Sequence, residues 1–139
     1  DLRGNPGGDD GMGFLLAETL QDSPSIPNLV TAPGVHAFKG QVFVLTNRHT
    51  ASSAEETAQI LKTAVGAKVA GENSGGFLAF GNLGGFTLPN SKIVITFGTT
   101  YFERADHTFR EMVGYTPDLI TPPNTDALEY LVKNVIFQK

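Results

Sequence analysis

The stretch from Gln41 to Ala70 constrains the fold more than any other part of the chain. Gln41-Val42-Phe43-Val44-Leu45-Thr46 is a short apolar run rich in strand formers and reads as a buried strand. Asn47 to Thr50 is a polar turn. Ser53 to Val65 then sets Ala54, Ala58, Leu61 and Val65 on one face of a helix. Ser52 with Glu55, or Ser53 with Glu56, offers a capping-box start, and Gly66 ends the helix. Lys68 to Ala70 follows as a second short strand. Strand, helix and strand in this order predict an α/β unit with a partly parallel sheet.

The flanking sequence fits one compact domain of 139 residues. Met12 to Gln21 has apolar residues at helical spacing, at Met12, Leu15, Leu16 and Leu20. Ser23 to Gly34 is rich in Pro and predicts a loop, and so does the Gly-rich stretch Gly71 to Gly85. Phe86–Leu88, Lys92–Phe97 and Thr99–Glu103 read as strands, with a hairpin around Pro89-Asn90-Ser91 and a more antiparallel edge to the sheet. After loops at Pro117 and Pro122-Pro123, Asn124 or Thr125 is expected to cap a last helix carrying Leu128, Leu131, Val132 and Val135 on one face.

Composition removes several classes of function. A net charge of -4 argues against nucleic acid, which calls for a basic face. The absence of Cys excludes disulfides, a thiol nucleophile and thiolate metal sites. No apolar run approaches the roughly 20 residues of a membrane helix. The His and acidic residues show no metal-ligand spacing, and neither a metal nor an organic cofactor is expected.

Two segments could carry chemistry. Ser52 sits between a strand end and the first turn of a helix, at the rim of the sheet where α/β ligands bind. The helix N-terminus favours a developing oxyanion, and its first amides have no helical partner. On position alone, an N-cap is the commoner role for such a serine. The opening Asp1-Leu2-Arg3-Gly4-Asn5-Pro6-Gly7-Gly8 turns sharply and admits another backbone closely, which suits an anion nest or a plain strand-to-helix turn. No Gly-Lys-Ser/Thr follows, so it is not a phosphate loop.

Together these segments resemble the C-terminal processing (tail-specific) serine peptidases. Asp1-Leu2-Arg3-Gly4-Asn5-Pro6-Gly7-Gly8 is similar to their Asp-Leu-Arg-x-Asn-x-Gly-Gly block. Thr50-Ala51-Ser52-Ser53-Ala54-Glu55 is similar to their nucleophile block, Thr-Ala-Ser-x-x-Glu. Gly66-Ala67-Lys68-Val69-Ala70-Gly71-Glu72 and Gly114-Tyr115-Thr116-Pro117-Asp118 resemble two later blocks, in the right order. The resemblance implies a crotonase-like (ClpP/crotonase) ββα spiral. It implies a serine endopeptidase acting on peptides or proteins through an acyl-enzyme, with Ser52 as nucleophile. The oxyanion donors would be the Ser53 amide and one from Gly7 or Gly8. Export to the periplasm or outside the cell is the compartment the family favours.

The same resemblance points to a branch. The Ser-Lys members carry a Lys where Phe77 stands here. Lys62 lies ten residues along the helix from Ser52, about 15 Å at the helical rise. The Gly-rich Asn73-Ser74-Gly75-Gly76 is closer to the tricorn core protease and interphotoreceptor retinoid-binding protein branch. Its proteolytic members use Ser, His, Ser and Glu, and Glu111, three residues before Gly114, holds the place of that Glu. The branch's His and accessory Ser precede the Asp-Leu-Arg block, so residues 1–139 are expected to be the C-terminal part of one peptidase domain, inactive alone and prone to self-association through a cut sheet edge. His49 is the one His near Ser52 in sequence, while His36 and His107 lie in polar or Pro-rich loops. The rival expectation is a non-catalytic module of the same fold, with Phe77-Leu78-Ala79-Phe80 lining a pocket for peptides or apolar ligands.

Overall fold

The computed structural model describes residues 1–9, 11–20, 38–102 and 111–137. Helix α1 spans Gly11–Leu20, strand β1 Phe43–Thr46, helix α2 Ser53–Val65 and strand β2 Lys68–Gly71. Strands β3 (Phe80–Thr87) and β4 (Val94–Tyr101) follow. The chain ends in the short strand β5 (Leu119–Ile120) and helix α3 (Ala127–Leu131), which runs on as a π-helical turn over Val132–Ile136.

The main sheet is parallel, in the order β1-β2-β5. Side chains alternate across a strand, so each strand feeds two cores. Val44 and Val69 face one way and pack with Ala58, Ile60 and Leu61 of α2 and Ala17 of α1. Leu45 and Ala70 face the other way and pack with Ala127 and Leu131 of α3. The result is a sheet sandwiched between helices, the α/β architecture that the strand–helix–strand pattern predicts. The two helices on the first face meet closely: a Cβ on Gly13 would lie 2.7 Å from the Thr57 hydroxyl oxygen. The opening segment lies along the free side of β1, with the Leu2 amide donating to the Leu45 carbonyl at 2.9 Å.

Helix α2 has the predicted bounds, and Gly66 closes it in the left-handed conformation at φ 66°. Three other expectations need correcting. The Gly71–Gly85 stretch is not all loop, because β3 starts at Phe80. Gly84 and Gly85 are there for cross-strand fit: a Cβ on Gly84 would come within 2.6 Å of the Thr99 methyl, and one on Gly85 within 2.9 Å of the Ile95 carbonyl oxygen. The two strands read on either side of Gly98 are one, β4. It pairs with β3 as a separate two-stranded antiparallel sheet, not as an edge of the parallel one. The last helix is capped by Asp126, whose carboxylate accepts the Glu129 amide at 2.9 Å, rather than by Asn124 or Thr125.

Candidate active site

The turn after β1 is fixed by a web of short-range bonds. The Thr50 side chain is buried, donates to the Leu2 carbonyl at 2.9 Å and accepts the Asn47 amide at 3.0 Å. Asn47 Oδ1 accepts the amides of Gly4 and His49, both at 3.0 Å. The Ala51 amide donates to the Asn5 carbonyl at 2.9 Å. The Gly-rich opening and the Ser52 turn are thereby pinned to each other, though 40 or more residues separate them in sequence.

Ser52 stands at the head of α2 with φ 56° and ψ -129°. This is the corner of a type II′ turn, a conformation that favours Gly and costs a residue bearing a Cβ. Gly7 lies against it at φ 100°; a Cβ there would be 2.7 Å from Ser52 Cβ and 3.2 Å from Ser52 Oγ. Only Gly fits at that contact. The Gly7 amide is already given to Asn5 Oδ1 at 2.9 Å. No hydrogen bond is made among the described residues by the Gly8 amide or by the Ser53 amide. A Cβ on Gly8 would meet no atom within 4 Å.

Glu55 is the residue whose importance the sequence understates. It is fully buried, at 0% exposure. Its Oε2 accepts the Ser52 and Phe77 amides, each at 2.9 Å. Its Oε1 accepts the Gly76 amide at 2.9 Å and the Ser74 hydroxyl. The Ser74 hydroxyl oxygen in turn accepts the Tyr115 amide at 2.6 Å. The capping-box spacing located Glu55 at the helix start, but not its contacts with a loop some 20 residues on.

Glu111 lies beyond that loop. Its Oε2 accepts the Ala79 amide at 2.8 Å, and the next residue, Met112, donates its amide to the Gly76 carbonyl at 2.7 Å. The structure brings Glu111 onto the 76–79 segment that Glu55 anchors, without a direct bond between Glu111 and Ser52. Phe77 is exposed at the same segment, Leu78 half-buried and Ala79 buried. His49 is exposed, with its Nε2 accepting from Arg48 Nε at 3.3 Å. Lys62 is held by Asp118 at 2.5 Å, and Lys68 is an exposed residue of β2. His36 and His107 lie outside the described residues. No cluster of three or more His, Cys, Asp or Glu able to hold a metal occurs among the described residues, and no helix there is long and apolar enough to cross a membrane.

Ser52 lies between the end of a parallel strand and the head of a helix, the placement that a nucleophile elbow has in α/β hydrolases. The model of peptidase family S41 matches residues 1–121, and the chain belongs to that family of serine proteases. Among curated proteins, no sequence matches it. Solved structures similar to it include the photosystem II D1 C-terminal processing protease, at 22% identity and a TM-score of 0.62 over 89% of this chain and 34% of that one. A Parabacteroides merdae protein assigned as a peptidase shares 21% identity at a TM-score of 0.64, over 86% of this chain and 42% of that one. A lipoprotein from Streptococcus agalactiae shares 22% identity at 0.57, over 88% and 49%. At these identities the likeness is one of fold. The chain spans about a third to a half of the length of these structures.

Proposed function

We propose that this chain carries the nucleophile of a serine endopeptidase acting on peptides or proteins, with Ser52 attacking the scissile carbonyl. The observation that carries the reading is the elbow itself: Ser52 at φ 56° on the head of α2, with Gly7 packed against its Cβ and the Ser53 and Gly8 amides free of partners among the described residues. Backbone strain of this kind clusters at active sites. The two amides suit an oxyanion formed on the attacked carbonyl, and Gly8 is the better donor of the Gly7-Gly8 pair because the Gly7 amide is taken by Asn5.

Ser52 also needs a base. His49 and Lys62 are engaged by Arg48 and Asp118. By the resemblance to the tricorn-like branch, the reading takes the base to be a His from a segment outside these 139 residues, with Glu111 orienting it from the 76–79 segment. In this reading the parallel sheet and its helices are the C-terminal part of a crotonase-like spiral, and the full-length protein is exported. Neither metal nor cofactor enters the mechanism.

The test is labelling by a fluorophosphonate, which reacts with an activated serine. The full-length protein should label, Ser52→Ala should not, and Ser53→Ala should keep most of the signal. Residues 1–139 alone should label weakly or not at all and should scatter light as more than a monomer. Strong labelling of a monomeric 139-residue chain would place the base within it. Absence of labelling in the full-length protein would leave the non-catalytic binding module.

A further inference from the structure

We propose that Glu55 is a positioning residue that locks the nucleophile turn and the 74–77 loop into one unit; the proposal rests on the reading of Ser52 as nucleophile. The Ser52 and Phe77 amide nitrogens both lie 2.9 Å from the same Glu55 oxygen, so they are at most about 5.8 Å apart. The other oxygen holds Gly76 and Ser74, and Ser74 holds Tyr115. One buried carboxylate thus fixes, through amides and a hydroxyl, the turn bearing the serine, the loop bearing Phe77 and the segment that follows Glu111.

The chemistry of the acceptor matters. Four donors converge on two oxygens, which only a carboxylate can satisfy in full. Among the described residues, no Lys, Arg or His is one of its partners. The charge is held by backbone amides and by the head of α2, where Glu55 belongs to the first turn. An ordinary capping Glu serves one amide at the helix start. Glu55 serves that amide and three further donors on a loop that lies beyond β2, which is more than capping needs.

Glu55→Gln separates the two roles. A Gln amide must point its NH2 at one of the two donor pairs. It loses least with its oxygen toward Ser52 and Phe77, because the Ser74 hydroxyl can reverse to accept while the Gly76 amide cannot. The helix cap and the Phe77 contact then survive, and the Gly76 amide is released. In the full-length protein the fluorophosphonate labelling rate should fall about tenfold or more, the loss expected when one charge-assisted bond is removed. For cleavage of casein, kcat should fall by a similar factor with KM little changed. Hydrogen exchange of the Gly76 amide should quicken while the far-UV circular dichroism stays the same.

Should Glu55→Gln fail to fold, Ser74→Ala decides the matter. It leaves the carboxylate and the Ser52 contact in place, and labelling should drop about two- to tenfold. Labelling at the wild-type rate in the folded Gln variant, or in Ser74→Ala where the Gln variant cannot fold, would overturn the proposal. If the wild-type protein does not label, the nucleophile reading falls by itself. Amide exchange then still decides whether Glu55 ties turn to loop, and unchanged protection at Gly76 in Glu55→Gln would refute it.

Discussion

Ser52 offers a direct measure of strain at the turn before α2, through the pair Ser52→Gly and Ser52→Ala. Both variants lack the hydroxyl, so both are expected to lose peptidase chemistry, and they differ in a single Cβ. At an ordinary position, replacing Ala by Gly costs about 0.5–1 kcal/mol through the freedom of the unfolded chain. Here the folded backbone sits at φ 56°, ψ -129°, and the Ser52 Cβ lies beside Gly7. Holding a Cβ-bearing residue in such a region costs about 1–3 kcal/mol, which Gly escapes. Strain relief of that size offsets or exceeds the entropic cost. The Gly variant is expected to match the Ala variant or to be more stable than it by up to about 2 kcal/mol. Urea unfolding followed by circular dichroism measures the difference, with equal slopes showing that the comparison is fair. A Gly variant less stable than Ala by the ordinary 0.5–1 kcal/mol would show that the turn carries no strain, and would remove the observation on which the nucleophile assignment rests. The opposite sign would make this a place where stability is given up for function.

Glu111→Gln keeps an acceptor for the Ala79 amide, so the fold contact survives while the charge is lost. Turnover is expected to fall about tenfold with a smaller change in substrate binding, and unchanged turnover would take Glu111 out of the site. Asp118 and Lys62 set a pH dependence of stability. Burial raises the Asp118 pKa, but the Lys62 ammonium and the Val69 amide outweigh it and hold the carboxyl below its ordinary range. Lys62 is pushed up, first by its bond to Asp118 and then by Tyr115. The Asp118 contribution is present above the unfolded value near ~3.9 and is lost as pH falls through the lower folded value. The Lys62 contribution is present below ~10.4 and is lost as pH rises through the raised folded value. Both groups are partly exposed, so Asp118→Asn should cost no more than about 1 kcal/mol near neutral pH. That difference should shrink in acid thermal melts, and a difference that persists unchanged at about pH 2 would contradict the assignment.

Much of the site was legible in the sequence because it is built from local rules. An apolar strand, a polar turn, a capping pair and a left-handed Gly together define β1, α2 and β2 within a residue or two. They place Ser52 at the helix head whatever the rest of the chain does. The order of the blocks from Asp1 to Asp118 was enough to suggest the family. Reading failed where long-range packing sets the answer. Gly84 and Gly85 look like loop markers, yet they are small because Thr99 and Ile95 press on them from β4. β5 has two residues and exists as a strand only because β2 offers it an open edge. The positive φ of Ser52 could not be read from the letters, because it follows from how the turn is pinned to Asn5, Gly7 and Thr50's partners. Glu55 shows the division most clearly. Its spacing from Ser52 made it a helix cap, a property of four consecutive residues. Only the tertiary fold brings Ser74, Gly76 and Phe77 to the same carboxylate, because a buried anion takes its hydrogen bonds from whichever donors the packing leaves nearest.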